Sequence, residues 1–313
     1  MDFPQGGSLR IRQQTLGGEA NLNGNTGISK GKKIYRIGEL SPLEKAVAYI
    51  LLIAFACLFA FPLIWMISTS LKTLGDIHQI PQTWIPWQPQ WGNFTQVFRD
   101  APFNVYIWNT CWYTLVTVFI TVFVSSLVAF AFARLRARGK TGLFALVLST
   151  MMIPHEVVMI PQYLIFNKLN WLDSYFPLIV PAIAGSAFLI FLLRQFYMGI
   201  SRELDEAVKI DGGGYFVLYF RIILPLSIPA MITAAILEFM YRWKDLMGPL
   251  IYLNTRSNYP LSLGLANFTA AYGQTPWHLL MAASLLAVIP PLVLFFLLQK
   301  YFIRGIVISG SKG

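Results

Sequence analysis

Three ionisable residues interrupt one apolar run at a spacing that chemistry can use. Glu238, Arg242 and Asp245 stand at i, i+4 and i+7, which aligns them on one face of a helix. At 1.5 Å of rise per residue, Glu238 lies near the middle of a span that starts about ten residues earlier. Charges at that depth are costly and are therefore functional candidates by default. Two readings fit them: a satisfied ion network facing the interior of a helix bundle, or side chains that border a translocation path. His155 and Glu156 follow Pro154 at a second interruption, just after residues 143–153. A proline there frees a backbone carbonyl and bends the helix, as happens where irregular backbone lines a transporter cavity. Equally, the apolar segment ends at Ile153 and the His-Glu pair is interfacial.

Other reactive side chains lack the company that catalysis requires. Ser125-Ser126 and Thr69-Ser70 sit in apolar helices, where hydroxyls bond back to the helix and let neighbours approach. Cys57 and Cys111 are far apart and have no metal-ligand spacing, and His78 and His278 have no nearby carboxylate or thiol. No catalytic residue and no metal site is expected, and the chain reads as a non-enzyme.

The elements that must hold these residues are membrane helices. Only 12% of the 313 residues are charged, against about 25% in a soluble protein. The mean hydropathy is +0.58. Those values exclude a disordered chain, a disulfide scaffold and most soluble enzymes. Six stretches approach the roughly 20 apolar residues that cross a bilayer, namely 46–71, 107–132, 143–165, 176–193, 228–252 and 279–302. The fold class predicted is an all-α membrane protein of six transmembrane helices with a cytoplasmic coupling helix, once the inner connector described below is added.

Lys and Arg fall unevenly between the two sets of connectors. Eighteen, from Arg10 through Arg134 and Arg194 to Lys312, lie on one side, and Lys72, Arg99, Lys168 and Arg256 lie on the other. Cytoplasmic loops retain positive charge, so both termini are expected in the cytoplasm of a multi-pass plasma membrane protein. The net charge of +10 is thus a topology signal. No basic stripe with interleaved stacking aromatics is present, so no nucleic-acid partner is expected. Residues 1–40, rich in Gly and Asn, read as a flexible cytoplasmic tail ahead of a membrane domain at 41–313. The outer connector 72–106 carries Trp84, Trp87 and Trp91 among prolines and reads as ordered and interfacial. The outer connector 253–277 offers Asn254, Asn258, Asn267, Tyr259, Tyr272 and Gln274, and is the expected contact for an external partner.

The inner connector at 201–229 is the most informative stretch. Ser201 suits an N-cap, Glu203, Asp205 and Glu206 favour a helix N-terminus, and Leu204, Ala207 and Val208 fall on one face. Gly212-Gly213-Gly214 end that helix, and a second helical run reaches Pro225. Such a segment is either an elbow lying on the membrane or a knob that docks into a partner.

The residues Glu206-Ala207, Asp211-Gly212, Phe220, Ile223, Pro225-Leu226 and Pro229 resemble the EAA loop of permease subunits of binding-protein-dependent ABC importers, in particular the carbohydrate-uptake branch with the maltose and glycerol-3-phosphate systems. Val208 and Gly213 stand where that family usually has Ala. Ile153-Pro154, Ile160-Pro161, Leu193-Arg194-Gln195-Phe196, Trp243, Asp245, Pro249-Leu250 and the ending from Gln299 to Lys312-Gly313 extend the likeness over most of 43–313, while Lys244 departs from a common Asn.

The resemblance implies the architecture of type I importer permeases in a bacterial or archaeal inner membrane. It implies that Glu206 is the charged contact to an ATPase, Ala207 the close-packing point, Asp211 a helix-end anchor and Gly212 the bend. It further implies a second permease in a heterodimer, two ATPase subunits that bind ATP and Mg, and an extracytoplasmic solute-binding protein. This chain would then bind no cofactor, in keeping with its lack of a G-x-x-x-x-G-K-[ST] loop. The expected function is import of a sugar or related polyol by alternating access, with no substrate-binding residue assigned. The competing reading is a self-contained secondary transporter using Glu238, Arg242, Asp245 or His155 for ion coupling, which would have no need of the inner knob.

Overall fold

The computed structural model describes residues 41–270 and 275–310, which are helical with no strand among them. The tail at 1–40, Tyr272, Gln274 and the closing Lys312-Gly313 lie outside the described residues. The chain divides into two compact units, Met1–Leu58 and Phe59–Gly313. The first unit contributes the opening of helix α1 (Pro42–Ser70). Its start is a capping box: Glu44 N donates to Ser41 Oγ at 3.3 Å, and Ser41 N donates to Glu44 Oε2 at 2.8 Å. Val47, Ile50, Ile53 and Phe55 along it are exposed, as suits a helix whose solvent is lipid.

Among the described residues, the second unit's remaining α-helices of six residues or more are α2 (Gly92–Asp100), α3 (Phe103–Arg134), α4 (Lys140–Ser149), α5 (His155–Lys168), α6 (Ala187–Met198), α7 (Glu203–Ile210), α8 (Ile228–Trp243), α9 (Met247–Tyr252), α10 (Leu261–Ala270) and α11 (Trp277–Gly310). Among the described residues, four helical stretches are long and apolar enough to cross a membrane, and there are up to six candidate spans when two bent pairs are each taken as one. One bent pair, Lys140–Met152 with α5, turns by 94°, and the other, Tyr215–Leu226 with α8, turns by 75°. The third run is therefore two helices meeting at Pro154. Ile153 takes an extended ψ of 115°, as the residue before a proline prefers, and α5 restarts at His155. The run at 228–252 is likewise not one helix, since α8 stops at Trp243 and α9 begins at Met247.

Helix α3 is the axle of this unit. Thr110, Thr114, Thr117, Thr121, Ser125, Ala129 and Ala133 recur at three- and four-residue steps along it and are buried. Small side chains at that spacing let other helices approach closely, and in a membrane it is packing and interhelical hydrogen bonds that hold helices together. Leu189, Ile190, Leu193 and Tyr197 of α6 pack there, as do Ala230 and Ala234 of α8. Ser126 Oγ sits 2.6 Å from the Tyr197 hydroxyl and 2.7 Å from that of Tyr219, which joins α3, α6 and a π-helical turn at Leu218–Ile223. Each such bond contributes on the order of 0.6 to 2 kcal/mol in a membrane. Gly185, just before α6, has φ 73°, and a Cβ there would lie 3.0 Å from Ser125 Oγ, so only glycine brings the chain this near to α3.

Candidate functional site

The mid-span ionisable residues meet at a cavity of about 550 Å³. Its wall is built from α3, the bent third span, the segment 177–189, and α8 with α9; His155, Glu238, Arg242 and Asp245 all line it, together with Gln162 and Tyr241. Glu156 is exposed and lies outside that lining. The bend at Pro154 places His155 there.

The three-member ladder expected on one helix face has two members. Arg242 Nε donates to Glu238 Oε1 at 2.8 Å, one turn apart on α8. Asp245 falls after the helix has ended, and its carboxylate turns to the start of α9, where Oδ1 accepts from Gly248 N at 3.1 Å and Oδ2 from the Tyr113 hydroxyl at 3.4 Å. A Cβ on Gly248 would lie 2.8 Å from Asp245 Oδ2 and 2.9 Å from Leu178 Cδ2, so glycine gives this cap its room. Asp245 is thus the hinge between the two helices and still faces the cavity. The wall presents two carboxylates, one guanidinium already paired, an imidazole and an amide, a surface suited to a hydroxylated solute.

The inner connector folds as a separate arm. Helix α7 is closed by a Schellman motif, in which Gly213 N donates to Val208 O at 2.7 Å and Gly212 N to Lys209 O at 3.0 Å. Gly212 has φ 76°, the left-handed conformation that this closure requires. A Cβ on Gly213 would meet Val208 Cγ1 at 2.6 Å. The two departures from the resembled family are therefore complementary: the larger side chain at 208 occupies the room left by glycine at 213. Two expectations need correction. The N-cap position is Arg202, with Ser201 Oγ accepting from Glu203 N at 3.3 Å. The inward face of α7 is Asp205 and Val208, one turn apart, while Leu204 and Ala207 face outward. Glu206, Ala207, Ile210, Asp211 and Gly212 are all exposed, and so are the bulky Tyr215 and Phe216 that follow.

A residue that sequence reasoning counted only as a positive charge anchors this arm. Arg134, the last residue of α3, is 2% exposed at its side chain. Its Nη1 donates to both Asp205 oxygens, at 3.0 and 3.2 Å, and its Nη2 donates to the carbonyls of Tyr197 and Ile200, both at 2.8 Å. The nearby Arg136 and Arg138 are exposed, and nothing in the local sequence separates the three.

The outer connectors hold themselves in place. Asp173, with φ 57°, accepts from the backbone N–H groups of Asn254 and Thr255 at 2.9 Å each, from the Thr255 hydroxyl and from Asn258 Nδ2 at 3.3 Å. Desolvation pushes its carboxyl up, but these bonds outweigh it and hold the pKa at about 2. Asn258 also donates to Asp173 O at 2.9 Å, Tyr259 donates to Asn254 O at 3.0 Å, and Asn267 donates to Leu263 O at 3.1 Å. Of the side chains read as contacts for an external partner, those of Asn258, Tyr259 and Asn267 are therefore already engaged, and α10 turns part of that connector into helix. In the other outer connector Lys72 is buried, with Nζ on Thr83 O and above the Trp65 ring, while Trp87 stands 92% exposed.

Residues 121–308 match the family of the binding-protein-dependent transport system inner membrane component. The chain is 32% identical over 289 residues to the probable ABC transporter permease protein YurM of Bacillus subtilis, covering 91% of this chain and 92% of that one. It is 32% identical to the arabinooligosaccharides transport system permease protein AraQ of Halalkalibacterium halodurans, covering 85% and 97%. It is also 32% identical to the sn-glycerol-3-phosphate transport system permease protein UgpE of Yersinia enterocolitica, covering 83% and 95%. Among solved structures, a bacterial ABC transporter that imports the acidic polysaccharide alginate shares the fold at a TM-score of 0.73 and 24% identity, covering 83% of this chain and 96% of that one.

Proposed function

Since the chain belongs to the inner membrane components of binding-protein-dependent transport systems and is a permease subunit of an ATP-driven importer, we propose that it moves a sugar or related polyol through the cavity at Glu238, Arg242 and Asp245 under control of the α7 arm. The observation that carries this is the arm itself. A helix closed by glycine, holding Glu206, Ala207, Ile210 and Asp211 out to solvent and tied inward at Asp205 and Val208, has the form of a docking element. The ATPase that receives it binds ATP and Mg on its own chain. Glu206 makes the charged contact, Ala207 the close one, Asp211 anchors the helix end and Gly212 sets the bend.

In this reading two ATPase subunits, a second permease in a heterodimer and an extracytoplasmic binding protein complete the assembly, and both termini of this chain lie in the cytoplasm. The substrate class rests on the names of the relatives, which include transporters of arabinooligosaccharides and glycerol phosphate, and on the polar, hydroxyl-compatible wall of the cavity. Alternating access is then a two-state rearrangement that ATP biases through the arm.

The test is copurification from gently solubilised membranes. Wild type is expected to bring down an ATPase and a second permease, and Glu206→Lys, with its reversed charge on an exposed position, is expected to lose the ATPase while remaining in the membrane at normal level. Loss of uptake should accompany loss of the ATPase. A chain that purifies alone and moves solute without ATP would defeat this reading.

A further inference from the structure

We propose that Arg134 is the positioning residue through which movement of the α7 arm reaches the cavity wall; this rests on the reading of α7 as the ATPase-docking element. All eight residues of α7 keep some exposure, and its inward face is only Asp205 and Val208. Val208 makes an apolar contact that can slide. Asp205 is held by two bonds from one guanidinium whose other nitrogen holds the last turn of α6, at Tyr197, and Ile200 two residues past its end. Arg134 therefore binds three elements at one point: the end of α3, the end of α6 and the arm.

Helix α3 grips α6 at the other end too. Ser186 N, immediately before α6, donates to Ser125 Oγ at 2.9 Å, and Gly185, Ser186, Phe188 and Leu189 line the cavity. Helix α6 thus runs for about 18 Å as a rod from the cavity wall to the arginine. A pull on Asp205 acts on the C-terminal carbonyls of that rod through Arg134, and the rod delivers the displacement at Gly185–Ser186. The chemistry favours arginine for this task. A planar fork engages a carboxylate and two carbonyls at once, where the compact ammonium of lysine would hold fewer. Burying a guanidinium at an ion pair stabilises no better than apolar packing in many proteins, so stability alone does not call for it here. Geometric linkage of three elements does.

The experiment uses the whole transporter, purified with its copurifying ATPase, in which Cys57 and Cys111 are replaced by Ser and Phe188→Cys carries an environment-sensitive fluorophore at the cavity wall. ATP turnover and the fluorescence change on adding ATP with vanadate are read together in the labelled parent, in Arg134→Lys and in Asp205→Asn. Asp205→Asn leaves the bonds from Arg134 to the α6 end in place and carries the test if the arginine variant does not assemble. The expected result is ATPase bound and turning over in both variants with the cavity signal lost. A cavity signal equal to the parent in either assembled variant overturns the proposal, and so does loss of the ATPase itself, which would make Asp205 and Arg134 part of docking. Failure of the parent to copurify with an ATPase sinks the docking reading instead, before any variant is compared.

Discussion

At Asp173 a single carboxylate collects hydrogen bonds from two backbone amides, a threonine hydroxyl and an asparagine amide, and thereby fixes one outer connector to another. On α7 and its C-cap the comparable acidic residues Glu203, Glu206 and Asp211 stand exposed, while one carboxylate, Asp205, ties the helix inward. The outer clasp is a region whose polar groups satisfy one another, so it resists deformation. The inner arm keeps its charges and apolar side chains for something outside the chain and is linked to the bundle at few points, so it can move as a body. A rigid clasp at one end and a loosely tied lever at the other suit the proposed function, in which solute arrives on one face and a mechanical signal on the other.

The difference can be broken most severely at the clasp. Asp173→Ala removes the charged acceptor shared by two backbone N–H groups and two side-chain donors, and should lower stability by about 2 kcal/mol, read as thermal unfolding of the solubilised assembly. The ATPase should still copurify from molecules that fold, because the arm does not depend on the clasp; loss of the ATPase from folded molecules would show that the two regions are one. The same carboxylate gives a pH signature. Its folded pKa of about 2 lies below the usual 3.8, so the unfolded state takes up the proton first. The stabilisation is present above about pH 4 and is lost as the pH falls towards 2, so wild type should lose stability over that range and Asp173→Asn should lose less.

The contrast was only half legible in the sequence. The spans and the arm are written in long-period signals, namely apolar runs of bilayer length and a Gly-terminated amphipathic segment, and these survive into the structure because nothing tertiary is needed to read them. The meeting of His155 with Glu238 and Arg242 at one cavity required the 94° bend at Pro154, for which the proline was a visible cue. Arg134 and Asp173 were not legible. Arg134 reads as one of several basic residues after a span, and its role depends on carbonyls 63 and 66 residues away. Asp173 pairs with residues more than 80 positions on, and the loop it serves looks like a free polar surface because its asparagines and tyrosine are the types that bind ligands. Asp245 was misplaced on the ladder because helical spacing was extended past Trp243, where the helix ends.

A smaller effect sharpens the arm. Gly213→Ala drives a Cβ to 2.6 Å from Val208 Cγ1, within the turn that closes α7. Overpacking of this kind costs about 1 to 3 kcal/mol, and here it should open the Schellman turn, seen as faster amide exchange at Gly212 and Gly213 and weaker ATPase retention. Val208→Ala removes the methyl groups in the way, so the double variant should recover both readouts. Failure of that recovery would mean that glycine at 213 is required for the backbone and not for room.

The smallest effect tests whether the outer connector is only a clasp. Tyr259 donates to Asn254 O at 3.0 Å, inside the loop that Asp173 holds. Tyr259→Phe deletes that one bond and leaves the ring, which packs beside Tyr106, so stability should fall by about 0.5 to 1 kcal/mol. With the hydroxyl engaged internally, the solute concentration for half-maximal uptake through the intact assembly should not change. A several-fold rise with unchanged stability would mean that this hydroxyl leaves Asn254 to meet the solute or the protein that delivers it, and the outer face would then resemble the arm in holding side chains for a partner.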